Sequence, residues 1–213
     1  MRIEQINISS RTHLMTNGRK LVTGIFKEQV KGSIAVSELG LLGDEICNKK
    51  HHGGPDQAIY LYSLEDYAWW SYTLGQDILA GTYGENFTIS GQDLSEICVG
   101  DLLCSESVTL QITAPRIPCS ILSSRMDDKQ FAKRFMEAGR PGAYCRVLKS
   151  GEAKEGDEFI HRLYANDRIP LKVFFKDAHA KLSADVLRRY LAAPIDMRNR
   201  QEFAKKLATL WLS

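Results

Sequence analysis

The first 160 residues hold no long periodic stretch; short extended runs separated by glycine take its place. IEQINIS, LVTGIF, GSIAVSEL, AIYLYS, NFTIS, DLLCSE, VTLQIT and AYCRVLKSG each read as a β run, several alternating in period two. Strands this short cannot bury a core singly, and so many at this spacing predict a barrel or sandwich. Two helical patterns interrupt them. Ser63 and Asp66 form a capping box ahead of LEDYAWWSYTL, and MDDKQFAKRFMEAG ends at Gly139, a residue suited to a helix C-cap. Tyr67, Trp69 and Trp70 read as core aromatics.

After about Asp157 the texture changes. LKVFFKDAHA, SADVLRRYLAA and MRNRQEFAKKLATLWL are helical, with Ser183 and Asp196 as N-caps and Pro194 separating the last two. Phe203, Leu207, Leu210 and Trp211 follow i, i+4, i+7, i+8 spacing. Three short helices bury little surface alone, so this tail is expected to dock on the β part, on a second subunit as a homodimer, or on a partner protein. The expected fold is mainly β (α+β): a β-barrel with peripheral helices over residues 1–165, then a small three-helix C-terminal domain over 166–213.

A formal charge of +2 and a pI near 8.2 are too mild to argue for nucleic acid, and no run of five like charges occurs. The opening MRIEQINISSR has no apolar leader, and no stretch approaches the roughly 18 apolar residues of a membrane span. Five cysteines without a CxxC pair suit a reducing compartment, so a cytoplasmic protein is expected.

Four stretches carry candidate chemistry. In KKHHGGPDQAIYLY, Lys49, Lys50, His51 and His52 precede Gly53 and Gly54, whose bare backbone suits an anion. The same residues also make a basic turn before a buried strand, with Asp56 closing it. GTYGEN places Gly84, Glu85 and Asn86 where an amide could meet a heterocycle edge, or where a β-turn needs asparagine. GRPGAYC holds Arg140 between two glycines, a guanidinium suited to phosphate. TAPRIPC sets Arg116 and Cys119 on a loop stiffened by Pro115 and Pro118. Cys47 and His51 have C-x3-H spacing but no second pair to complete a zinc site. Cys98, Cys104 and Cys145 alternate with apolar neighbours and are expected buried and inert. No GxSxG, HExxH or paired-carboxylate signature appears.

Taken in order, TGIFK (23–27), LGLLGDE (39–45), HGGPDQA (52–58), GEN (84–86), VGD (99–101), PRIPC (115–119) and the RPGAY turn resemble the MOSC domain. That domain is named after the C-terminal part of molybdenum cofactor sulfurases. The chain is similar to its YiiM-type branch, associated with resistance to 6-hydroxylaminopurine, whose small three-helix tail LSADVLRRYLAAP also resembles. The resemblance implies a β-barrel-like fold holding a molybdenum cofactor (molybdopterin) with a cysteine on the metal, which maps to Cys119. It implies Arg116, Lys50, His52, Gly53, Gly54, Gly84, Asn86 and Arg140 as cofactor-binding residues. The implied activity is reduction of N-hydroxylated compounds to amines, with Cys119 and His52 as catalytic residues, His52 being the candidate proton donor. No flavin, haem or iron–sulfur motif is present, so a separate electron-donor reductase is expected. The alternative is a cofactor or sulfur carrier with Cys119 as a persulfide site and no turnover of its own.

Overall fold

A computed structural model describes residues 1–16, 18–48 and 52–210. Lys49, Lys50, His51 and Trp211 lie outside the described residues. The chain begins with β1 (Arg2–Ile8), the hairpin β2 (Thr12–Thr16) and β3 (Arg19–Thr23), then β4 (Glu28–Gln29), β5 (Ile34–Ser37) and β6 (Gly40–Leu41). A 3-10 turn at Pro55–Gln57 leads into β7 (Ile59–Ser63), α1 (Leu64–Leu74) and β8 (Phe87–Ser90). Next come β9 (Leu102–Cys104), β10 (Thr109–Ala114), α2 (Ser120–Arg125), α3 (Phe131–Ala138), β11 (Ala143–Lys149), β12 (Gly151–Ala153) and β13 (Ile160–Arg162). Helices α4 (Leu171–Asp177), α5 (Ala184–Ala192) and α6 (Met197–Leu210) follow.

Eight strands make one sheet in the order β13-β9-β10-β11-β7-β8-β1-β4, and β12-β5-β6 make a second. Neighbours are antiparallel except β7 and β8, a parallel pair joined through α1. The expected mainly β, α+β class describes this architecture, but the expected barrel does not close by strand pairing. β4 is two residues long and covers only one end of β1, at Asn7 and Ile8. The other end of β1 meets irregular backbone instead: Ile3 N donates to Asp157 O (2.9 Å), Gly156 N to Ile3 O (2.8 Å) and Phe159 N to Met1 O (2.8 Å). A turn there, with Lys154 N bonded to the Asp157 carboxylate (2.9 Å), breaks the ladder before it can form.

Local signals account for the helices. Ser63 Oγ accepts from Asp66 N (3.0 Å), and α1 ends at Gly75 with φ 65°. The Asp66 carboxylate, in the first turn, also accepts from Arg140 Nη1 (2.5 Å). Ser183 accepts from Val186 N, and Asp196 from Arg198 N and Asn199 N, so both expected N-caps are in place. Helix α2 is an element that periodicity does not anticipate; six residues are too few to show a stripe.

Strand β7 is buried along its whole length. Ile59 and Leu61 face an aliphatic core with Ile3, Phe87, Leu110, Ile112 and Cys145. Tyr60 and Tyr62 face an aromatic core with Tyr67, Trp70, Tyr83, Phe131 and Phe135. The C-terminal helices join the aliphatic core, in which Phe174, Tyr190 and Phe203 pack with ring centroids 4.7 to 5.9 Å apart. Main-chain bonds Val99 N to Ile169 O (3.0 Å) and Leu171 N to Ile97 O (2.8 Å) tie the approach to α4 onto the sheet. Of the expected stripe, Phe203 is buried, Leu207 packs on the core and Leu210 is exposed.

Asp101, in the VGD turn, gathers this junction. Its buried carboxylate accepts from Cys98 N (3.0 Å), Tyr164 N (2.7 Å) and Arg168 Nη2 (3.2 Å), with His161 Nε2 at 2.8 Å. Burial alone would raise this carboxyl; the two amides, His161 and Arg168 outweigh it and hold Asp101 below its ordinary value. The native state therefore binds fewer protons than the unfolded chain in that window. The resulting stability is present above the unfolded value of about 3.9 and is lost as pH falls through the lower folded one. Asp101→Asn should cost about 2–3 kcal/mol in urea unfolding at pH 7. The gap from wild type should narrow toward pH 3, and a gap independent of pH would contradict this assignment.

Candidate functional site

Strand β10 stops at Ala114 because Pro115 has no amide to give the ladder, and Pro118 holds the following turn. Cys119 is extended (φ −129°, ψ 174°) and sits at the N-cap of α2, its carbonyl accepting from Leu122 N (3.0 Å). Arg116 is 5% exposed. Its Nη1 donates to Tyr83 O, and its guanidinium lies over the Tyr60 ring, 5.0 Å from the centroid.

These two residues line a cavity of about 630 Å³, within the ordinary range of small-molecule sites. The same wall holds His52, Gly53, Gly84 and Asn86 from the sequence candidates. His52 Nδ1 is 3.4 Å from the Tyr144 hydroxyl. Gly53 has φ 71°, and a Cβ there would meet Ile46 Cδ1 at 2.8 Å, so only glycine keeps this backbone against the cavity. Gly54 and Arg140 are not brought to the cavity. Gly54 (φ 83°) turns the chain into the Pro55–Gln57 turn. Arg140 pairs with Asp66 and stacks on Trp69 (4.7 Å), where α1 and the end of α3 meet. There its guanidinium is paired with a buried carboxylate.

Two charged residues that the motif reading did not single out stand in the cavity wall. Lys27 Nζ bonds Asp44 Oδ2 at 2.5 Å, with the side chains 6% and 3% exposed. Asp44 also accepts from Ser9 N (2.9 Å), Ser9 Oγ (3.3 Å) and Asn86 Nδ2 (2.8 Å). Asn86 Oδ1 accepts from Tyr60 N (3.1 Å), so this amide ties Asp44 to strand β7. Glu85 is likewise structural, accepting from Tyr67 Oη (2.8 Å), Gly81 N (2.5 Å) and Thr88 Oγ1 (2.8 Å). Burial lowers the Lys27 ammonium, and the Asp44 carboxylate works against that shift. Lys27 and Asp44 lie in stretches already noted, TGIFK and LGLLGDE. No local pattern pairs two irregular segments 17 residues apart.

Of the other thiols, Cys98, Cys104 and Cys145 stand apart from the cavity. Cys145 is fully buried in the aliphatic core, and burial pushes its thiol up; Cys98 is buried and raised for the same reason. Cys104 is half-buried on β9, where full burial was expected, because its strand lies next to the end strand β13. Cys47 also borders the cavity, half-buried. The arrangement is a pocket with two loop-borne thiols, Cys119 and Cys47, two buried cations, Arg116 and Lys27, and a buried counter-charge, Asp44.

Residues 48–160, just over half of the chain, match the MOSC domain. The chain belongs to the MOSC domain family. This MOSC protein is 33% identical over 133 residues to YiiM of Escherichia coli, covering 61% of this chain and 59% of that one. It is 33% identical over 144 residues to a protein of Gibberella moniliformis named Reductase, covering 66% of this chain and only 26% of the fungal one. In fold it is similar to crystalline YiiM of Geobacillus stearothermophilus, with a TM-score of 0.80, 24% identity and coverage of 97% and 98%.

The buried pair yields a stability prediction. Lys27→Met and Asp44→Asn should each cost about 3–5 kcal/mol, because each leaves an uncompensated buried partner. The double substitution should cost less than the sum of the two. A denaturant double-mutant cycle measures this, and simple additivity would mean that the two groups do not act as a pair.

Proposed function

We propose that this MOSC protein holds a molybdenum cofactor in the cavity and reduces N-hydroxylated compounds such as 6-hydroxylaminopurine to amines. The observation that carries the reading is the donor set: a soft thiol on the proline-stiffened loop, Cys119, shares a cavity with Arg116 and Lys27, and Cys47 stands on the same wall. A soft sulfur ligand beside two cations suits a metal that arrives in an anionic organic chelate. Among the described residues no three His, Cys, Asp or Glu side chains converge to hold a bare ion. The group fits this pocket in size, in charge and in ligand type. The name of the fungal relative supports the reductive half of the proposal.

When bound, the cofactor supplies two-electron redox chemistry, and the overall change is R–NHOH plus two electrons and two protons giving R–NH2 and water. The chain's own residues bind and orient. Cys119 would offer Sγ to the metal, while Arg116 and Lys27 would hold anionic oxygen atoms of the group. His52, beside the Tyr144 hydroxyl, holds a proton for the departing hydroxyl group. Electrons come from a separate reductase. All five cysteines are free, and no helix among the described residues is long and apolar enough to cross a membrane; we place the protein in the reducing cytoplasm.

The test is protein made in a host that synthesises molybdopterin, assayed for metal content and for 6-hydroxylaminopurine reduction with an artificial reductant. Cys119→Ser should keep its circular dichroism spectrum while losing the metal and activity, since serine is a poorer soft-metal ligand. Cys98→Ser and Cys145→Ser should keep the metal. Wild-type protein that carries a persulfide on Cys119 and no molybdenum would overturn the proposal in favour of a sulfur carrier.

A further inference from the structure

The backbone from His52 to Asp56 is held from several sides, and one of them is helix α6. Arg198 Nη2 donates to His52 O (3.3 Å), and Met197 N donates to Asp56 Oδ2 (2.7 Å). From the sheet, Arg146 Nη2 lies 3.0 Å from Asp56 Oδ1, and Thr113 Oγ1 donates to Asp56 O (2.6 Å). Arg146 Nη2 also reaches Pro194 O (3.2 Å) and Ile195 O (3.1 Å), immediately before α6. Asp56, expected to close its own turn, instead joins three elements. Helix α6 already has a cap, because Asp196 takes the Arg198 and Asn199 amides. The Asp56 contact therefore does more for the His52 loop than for the helix.

We propose that the first turn of α6 is a working part of the cavity, with Arg198 and Asp56 as positioning residues that set His52 and Gly53 against the bound group. The C-terminal helices thus complete the site. The inference rests on the reading of the cavity as a cofactor site, and it goes beyond that reading by assigning the tail a part in it. The physical ground is that a loop built on glycines has little stiffness of its own, so its geometry follows the hydrogen bonds that anchor it. A guanidinium on the His52 carbonyl and a carboxylate locked between Arg146 and a helix amide are charge-assisted anchors, stronger than neutral ones. Partners of this kind, one layer out from a ligand, typically change metal affinity or activity about 10–100-fold when removed.

Arg198→Ala and Arg198→Lys, made in the full chain, test this with two independent readouts. Hydrogen–deuterium exchange followed by mass spectrometry reads the loop without reference to any cofactor. Amides of residues 52–58 should exchange faster in Arg198→Ala, while those of the β1–β8 pair keep wild-type rates, and Arg198→Lys should recover part of the protection. Molybdenum retention and kcat/KM for 6-hydroxylaminopurine should fall about tenfold or more in the alanine variant, with partial rescue by lysine. Unchanged exchange at 52–58, or equal acceleration in β1 and β8, would overturn the proposal. So would faster loop exchange with wild-type metal retention and kinetics. A wild-type protein that binds no molybdenum defeats the cofactor reading instead, and the exchange data then still decide whether α6 holds the loop.

Discussion

Strand β7 reads IYLYS, and all five side chains are buried. Successive residues of a strand point to opposite faces, so this one strand belongs to two interiors of different chemistry. Its aliphatic residues pack toward the C-terminal helices, its tyrosines toward α1 and α3. The tyrosine hydroxyls then need partners. Tyr60 donates to Pro141 O (2.9 Å) and Tyr62 to Arg140 O (3.1 Å), which pins the RPG turn before β11. The stretch singled out for its arginine therefore also holds the tyrosines through its carbonyls. Where the aromatic layer ends, Tyr60 and Tyr144 pass from core to cavity wall, and Arg116 lies on Tyr60.

The cavity keeps buried charge by chaining it. Lys27 is paired with Asp44, Asp44 is bonded by Ser9 and Asn86, and Asn86 takes the amide of Tyr60. Each link removes an unsatisfied group that would otherwise cost several kcal/mol in a low-dielectric setting. The chain of contacts also fixes the irregular segments around Lys27 and Asp44, which no continuous ladder holds. Asp44 takes four hydrogen-bond donors, from Lys27, Ser9 N, Ser9 Oγ and Asn86.

Much of the architecture is legible locally. The strand runs, α1, α3 and the three C-terminal helices appear where alternation, Ser63, Ser183, Asp196 and Gly139 put them. Of the candidate site residues, Cys119, Arg116, His52, Gly53, Gly84 and Asn86 do share one cavity. The contacts that a local reading leaves out have a common cause. Arg140 cannot be separated from a ligand-binding arginine until Asp66, 74 residues away, is seen beside it. Asp56 looks like a turn residue until α6 arrives from 141 positions further along the chain. The short helix α2 and the failure of the sheet to close depend on segments of two to six residues, too brief for any periodicity.

By itself, then, the sequence determined most of the longer elements and much of which of their faces are buried. Period and capping act within a few residues, so their physics is already present in the local order of side chains. It also determined that one thiol would stand on a proline-stiffened loop, since proline restricts its own backbone and that of the residue before it. Only the tertiary structure decided which charges are free to act. Whether an arginine or a carboxylate is a ligand, a partner or an anchor depends on what is buried against it. Contacts between residues far apart in the chain become favourable only after the sheet and its two cores have assembled and excluded water.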